Sequence, residues 1–126
     1  LLDAKQALLD RVFAEAAERI EKLSRDDYRA FVARLLTEHS ETGEEEVLVG
    51  PDEKRIDQSF LDGVSKKIGK GKGLRLSEEK RPIRAGVVLR SGRVETNCSL
   101  ETILRDAREN METEIASVLF GERDVG

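Results

Sequence analysis

Tryptophan is absent from this chain, tyrosine occurs once and phenylalanine four times. A chain so poor in aromatics must build its core from aliphatic side chains. One cysteine, Cys98, excludes an internal disulfide framework and suits a reducing compartment. Only Pro51 and Pro82 interrupt the backbone, so no proline-rich linker divides it. No apolar run approaches the ~20 residues that a membrane-spanning helix needs. The first residues lack a basic region followed by an apolar one, so no secretory signal is expected. His39 and Cys98 are each the sole residue of their kind and lie far apart, and no metal-ligand spacing accompanies them.

Charge is abundant: 38% of the 126 residues are Asp, Glu, Lys or Arg, with a formal net charge of −4. The length fits one domain. The slightly acidic balance gives no overall attraction to nucleic acid or anionic lipid. The composition describes a helix-rich, charge-laced surface over an aliphatic core.

Residues 1–23 are expected to form one helix. Leu2, Leu9, Val12, Phe13, Ala16, Ile20 and Leu23 recur at helical spacing and make one apolar stripe. The chain opens already in helical register, with no cap and no Met, so a longer natural N-terminus is expected. Ser24 offers an N-cap, with Asp26 and Asp27 in the first turn where the helix dipole favours them. The second helix then runs to about residue 39 and buries Tyr28, Phe31, Val32, Leu35 and Leu36. After an acidic loop, residues 46–50 read as a short strand stopped by Gly50-Pro51. Asp52 is expected to cap a third helix over about 53–68, with the stripe Ile56, Phe60, Leu61, Val64 and Ile68 and with Gly69 ending it.

Leu74-Arg75-Leu76 is a second strand. The strand–helix–strand unit has room for a parallel pairing with a right-handed crossover. Residues 86–99 read as a tight hairpin. With Ser91-Gly92 as the turn, Leu89 would face Val94 and Val87 would face Thr96. Ser99 starts a final helix whose buried face is Leu100, Ile103, Leu104, Ala107, Met111, Ile115, Val118 and Leu119. The fold class is α+β: two N-terminal helices, a small four-stranded mixed sheet with a strand–helix–strand unit and a hairpin, and a long closing C-terminal helix.

No catalytic, cofactor-binding or metal residue is assigned. Lys66-Lys67-Ile68-Gly69-Lys70-Gly71-Lys72-Gly73 has the composition of a phosphate cradle but not its spacing. No Ser or Thr follows Gly-Lys, and a strand rather than a helix comes next. Lys66, Lys67, Lys70, Lys72 and Arg75 form a local basic patch without interleaved aromatics, which fits an acidic protein partner or solvation better than nucleic acid. Cys98 reads as a small apolar residue at a strand–helix junction; a Cys–His nucleophilic pair lacks any supporting motif. Asn97-Cys98-Ser99 matches a glycosylation sequon by accident, since N-capping explains Ser99.

Several segments together resemble a known family. They are Leu1-Leu-Asp-Ala-Lys-Gln-Ala-Leu-Leu-Asp-Arg-Val-Phe, Tyr28-Arg-Ala-Phe-Val-Ala-Arg-Leu-Leu, Gly86-Val-Val-Leu-Arg-Ser-Gly-Arg-Val-Glu-Thr-Asn and Ile115-Ala-Ser-Val-Leu-Phe-Gly-Glu. The chain is similar to the C-terminal part of the E subunit of vacuolar/archaeal-type (V/A-type) rotary ATPases. Ala85 is a departure, where the family often has a second Gly. The resemblance implies residues 1–23 as the end of a long stalk helix and 24–126 as a globular head. It implies a non-catalytic peripheral-stalk (stator) subunit that holds the catalytic headpiece against rotor torque, so that ion flow couples to ATP synthesis or hydrolysis. It implies the G-type (or H-type) stalk subunit and the B subunit of the headpiece as partners. It places the protein in the cytoplasm, peripheral to the membrane within a membrane-bound complex, with no cofactor and no nucleic acid. On that basis Leu1, Leu8 and Glu15 are expected to meet the stalk partner, and Lys70 and Lys72 the headpiece. The alternative is a stand-alone module that recruits an acidic partner through the Gly-Lys loop.

Overall fold

The computed structural model describes residues 2–118, without the side chain of Leu2. Helix α1 (Leu2–Glu21) turns at residues 22–24 into α2 (Arg25–His39). The Ser24 hydroxyl accepts the Asp27 amide at 3.2 Å, closing one of the donors that a helix start leaves open. Tyr28, Val32, Leu35 and Leu36 line the buried face of α2. Complete burial of side chains such as Val32 and Leu36 contributes about 1.5–3 kcal/mol each. Phe31, expected among them, is half-buried.

The sheet holds β1 (Glu46–Leu48), β2 (Arg75–Leu76), β3 (Gly86–Ser91) and β4 (Val94–Ser99) in the order β2-β1-β3-β4. β1 and β2 run parallel, joined through α3 (Gln58–Ile68); β1–β3 and β3–β4 are antiparallel. Val47, Val87, Leu89 and Cys98 lie in one core with Leu36, Leu61, Leu74 and Leu100. On the opposite face, Leu48 and Val88 are also buried. A lattice of ion pairs accompanies that side: Arg90 to Glu46 and Glu79, and Arg81 to Glu79 and Glu95. Amide side chains serve both edge strands. Gln58 donates to the Leu74 carbonyl and accepts the Leu76 amide, and Asn97 Oδ1 accepts the Ser99 amide. Occupying such groups blunts an edge that could otherwise pair with another chain.

Three local expectations are corrected. First, α3 begins at Gln58, not near 53, and its cap is Asp57, whose carboxylate accepts the Phe60 amide at 2.8 Å; Asp52 lies in a turn. Ile56 is buried from the segment ahead of the helix, so its spacing from Phe60 imitates a helical stripe. Second, the hairpin turn is Gly92-Arg93. Ser91 pairs with Val94 and Leu89 with Thr96, not with Val94; Val87 pairs with Cys98, not with Thr96. Gly92 takes φ +60 while Arg93 keeps a negative φ. A glycine at the first central position suits the primed turn that matches strand twist, whereas Ser91-Gly92 would put it second. The shift is by a whole pleat repeat, so the same side chains keep the same face.

Third, part of the expected buried stripes is uncovered. Val12 on α1, together with Met111 and Val118 toward the end of α4 (Leu100–Ala116) and beyond it, is exposed. Leu100 is buried and Ile103 and Leu104 are partly so, while Leu119 lies outside the described residues. β1, β2 and the first helix are shorter than the expected 46–50, 74–76 and 1–23, while three local expectations agree with the structure. Ser99 caps α4 through the Thr102 amide, Gly69 ends α3 at φ +73, and Ala85 sits buried with no positive φ.

Candidate functional site

Chain direction sorts the loops around the sheet into two ends. β1 and β2 start at the same end, and β3 finishes there because Arg90 pairs with Glu46. The loops 40–45, 69–74 and 91–94 therefore gather at one end of the sheet. Residues 49–57 and 77–85, with the start of α4, lie at the other.

The loop end is held by backbone contact. Gly43 and Gly71 both take positive φ, and a Cβ at either would overlap a carbonyl of the facing loop, Lys70 for Gly43 and Thr42 for Gly71. The Gly73 amide donates to the Gly43 carbonyl at 2.9 Å. The glycines thus let two backbones cross at close range, the close approach that side-chain-free residues permit. Lys66, Lys67, Lys70 and Lys72 stay exposed beside them. Beneath the loop, the Glu45 carboxylate accepts the Ser40 hydroxyl and the amides of Glu41 and Thr42. Burial pushes its pKa up, but those hydrogen bonds outweigh burial and bring it down to about 2. Arg93 and Val94 project from the hairpin tip at this same end, with Val94 66% exposed.

At the opposite end, Arg55 organises the meeting of helices. Its guanidinium donates to the carbonyls of Glu21 and Leu23, both at 3.1 Å, where α1 has run out of amide partners. It also forks onto Glu53. Burial pushes the Glu53 carboxyl up, but the Arg55 hydrogen bonds and charge bring it below its ordinary value. The Tyr28 hydroxyl accepts the Gly86 amide at 2.8 Å. Burial, opposed by that hydrogen bond and aided by the Glu53 charge, pushes the phenol up to about 12. Sequence reasoning missed Arg55, because the carbonyls it grips lie 32 and 34 residues away and a Glu two residues before an Arg marks nothing by itself.

Beyond the sheet, α1 and α4 pair in opposite directions. Arg108 bonds Gln6 and Asp10 near the start of α1, while Ala17 and Leu100 both belong to the core. Leu8, at 58% exposure, Val12 and Met111 leave apolar surface on this pair. Glu15 is exposed and lines an open concavity with Glu18, Lys22 and Asp27. Leu1 lies outside the described residues. Leu8 and Glu15 thus belong to the helical pair, and Lys70 and Lys72 to the loop end of the sheet; the structure does not bring the two sets together.

Cys98 is 2% exposed, and burial pushes its thiol pKa up. His39 is exposed at the end of α2. Among the described residues, no group of three or more His, Cys, Asp or Glu side chains is placed to hold a metal, and no helix is long and apolar enough to cross a membrane.

The family model described as "ATP synthase (E/31 kDa) subunit" matches residues 1–120. The chain is 38% identical over 125 residues to the E subunit of the V-type proton ATPase of Thermoanaerobacter pseudethanolicus, covering 96% of this chain and 62% of that protein. It is 34% identical over 123 residues to the E subunit of the V-type ATP synthase of Clostridium botulinum, and 29% identical over 122 residues to E subunit 1 of the V-type ATP synthase of Clostridium tetani, in both cases covering 94% of this chain and 62% of the relative. The chain therefore spans less than two thirds of the length of these curated relatives. With the match running through α1, the mixed sheet and α4, this chain belongs to the ATP synthase E/31 kDa subunit family.

Proposed function

We propose that this chain is the strut-and-head part of a non-catalytic peripheral-stalk subunit of a V/A-type rotary ATPase. In this role it holds the catalytic headpiece still while the rotor turns, so that ion translocation couples to ATP synthesis or hydrolysis. Residues 1–23 are the end of a longer stalk helix and 24–126 the head. The subunit works on the cytoplasmic side, peripheral to the membrane.

The observation that carries this reading, beyond family membership, is the exposed apolar surface on the α1–α4 pair. Leu8, Val12 and Met111 on two paired helices suit a third helix that covers them. The partner assigned to that surface is the G/H-type stalk subunit, with Leu1, Leu8 and Glu15 in the contact. The loop end of the head, with Lys70 and Lys72, is assigned to the B subunit of the headpiece. A stator needs stiffness and attachment rather than a reaction pocket, and the helical pair, the backbone-locked loops and the Arg55 cluster supply both.

Co-purification tests each surface. Leu8→Glu is expected to weaken capture of the G/H-type subunit, and Lys70→Glu with Lys72→Glu to weaken capture of the B subunit. Undiminished capture in either case removes that surface from the assignment. The stand-alone acidic-partner module is not favoured, because crossing backbones account for Gly43 and Gly71 and the family match extends well past that loop.

A further inference from the structure

Three consecutive residues each hold a different helix. Arg84 pairs with Glu21 in the last turn of α1. The Ala85 carbonyl accepts the Leu100 amide at 2.9 Å, fixing the first residue of α4. The Gly86 amide donates to the Tyr28 hydroxyl on α2. From Gly86 the chain continues directly into β3, the strand flanked by both β1 and β4.

Arg55 completes this arrangement, lining one concavity with Arg84 and Glu21. It grips the end of α1 through the Glu21 and Leu23 carbonyls and lies over the Tyr28 ring. The Arg84–Glu21 pair is more exposed and contributes little by itself. The Arg55 contacts are partly buried and charge-assisted, and a planar fork bonded to two carbonyls and a carboxylate resists rotation. Gly86 cannot be replaced freely. It takes φ +85, and a Cβ there would press on the Leu100 amide at 2.8 Å and on the Ser99 Cα at 2.9 Å. Both α1 and α4 are thus tied to one short stretch of backbone at the entrance to the sheet.

We propose that residues 84–86, braced by Arg55, form the rigid joint through which load passes between the paired helices α1 and α4 and the sheet of the head. The inference rests on the stalk reading above and adds where stiffness resides. Among the described residues, the backbone leaves α1 at the turn 22–24 and enters α4 at Ser99, and both places touch this joint.

The test uses the full-length subunit bound to its stalk partner, with nitroxide labels at Ala7→Cys on α1 and Arg93→Cys at the hairpin tip, in a Cys98→Ala background. Two variants loosen the joint in different ways. Arg55→Lys keeps the charge and loses the fork; Tyr28→Phe keeps the ring and loses the acceptor for Gly86. Both are expected to broaden the distance distribution between the labels. Arg55→Lys is also expected to speed hydrogen exchange about tenfold at the Lys22 and Leu23 amides, leaving those of α3 unchanged. An unchanged distribution in both variants overturns the proposal. So does faster exchange spread evenly through α2 and α3, since Arg55 would then act only on global stability. If the unmodified subunit fails to bind a stalk partner, the stalk reading falls instead, and the same label pair in the free subunit still decides whether the joint is rigid.

Discussion

The guanidinium carbon of Arg55 stands 3.5 Å from the centroid of the Tyr28 ring. The side chains of Arg55 and Glu53 are only 19% and 5% exposed, and the arginine links the end of α1 to α2 through an aromatic face and two carbonyls. Removing it would strand the Glu53 carboxylate without its cation. Arg55→Ala is therefore expected to cost about 3 kcal/mol, the range for breaking a buried ion pair from one side. Arg55→Lys should cost about half as much, because an ammonium keeps the charge and loses the fork. Urea unfolding followed by circular dichroism checks both; equal midpoints for wild type and Arg55→Ala would show that the pair contributes nothing net.

Acid should act through Glu45. Its carboxyl has an ordinary pKa of 4.5 and is brought down to about 2 in the fold. A depressed carboxylate pKa stabilises the fold above its unfolded value and loses that contribution as pH falls from about 4.5 toward 2. The loss is at most about 3 kcal/mol, from 1.36 kcal/mol per pKa unit. Glu45→Gln is expected to destabilise the protein at pH 7 and to flatten the dependence of unfolding free energy on pH between 5 and 3, as followed by urea titrations across that range. A variant with an undiminished pH slope would assign acid sensitivity to other carboxylates.

The glycines of the lysine-rich loop should not be equivalent. Gly69 takes φ +73 with its nearest neighbour at 3.9 Å, so Gly69→Ala carries only the left-handed backbone cost of about 1–2 kcal/mol. Gly71 takes φ +71, but an added Cβ would also overlap the Thr42 carbonyl. Gly71→Ala is expected to exceed Gly69→Ala by about 1–3 kcal/mol, the usual range for overpacking. Denaturant midpoints of the two variants decide it, and equal losses would mean that the facing loop simply moves away.

These features differ in how far the sequence reveals them. Helix caps are local, so Ser24, Ser99 and Gly69 are legible from their own neighbourhoods. The cap of α3 misleads because Asp52 and Asp57 both precede helix-compatible residues, and Ile56 falls at helical spacing by coincidence. The hairpin is evident from its alternating residues, yet Gly92 serves equally well at either central turn position until strand twist chooses. Leu8 is exposed on α1 and Lys70 is exposed on the loop after α3. Arg55 is illegible because the Tyr28 ring, the carbonyls of residues 21 and 23 and the burial that strengthens its pair with Glu53 are assembled only by the tertiary fold. The alternating glycines and lysines suggest a flexible loop because a sequence does not show the second backbone, residues 42–43, that crosses it.

Cys98 offers a direct way to weigh an enzymatic reading against a structural one. It is buried in the core, its thiol pKa is raised by burial, and it belongs to β4 beside Val87. A buried, protonated thiol is a poor nucleophile and should react only when the fold opens. Modification by a water-soluble disulfide reagent at pH 7 is therefore expected to be slow and to accelerate with added urea. In Arg55→Ala it should run about a hundredfold faster, because a loss of about 3 kcal/mol raises the open population by that factor when opening is fast relative to reaction. Rapid modification of the wild-type protein, insensitive to urea and to Arg55→Ala, would instead reveal an accessible, activated thiolate and reopen the case for chemistry at this position.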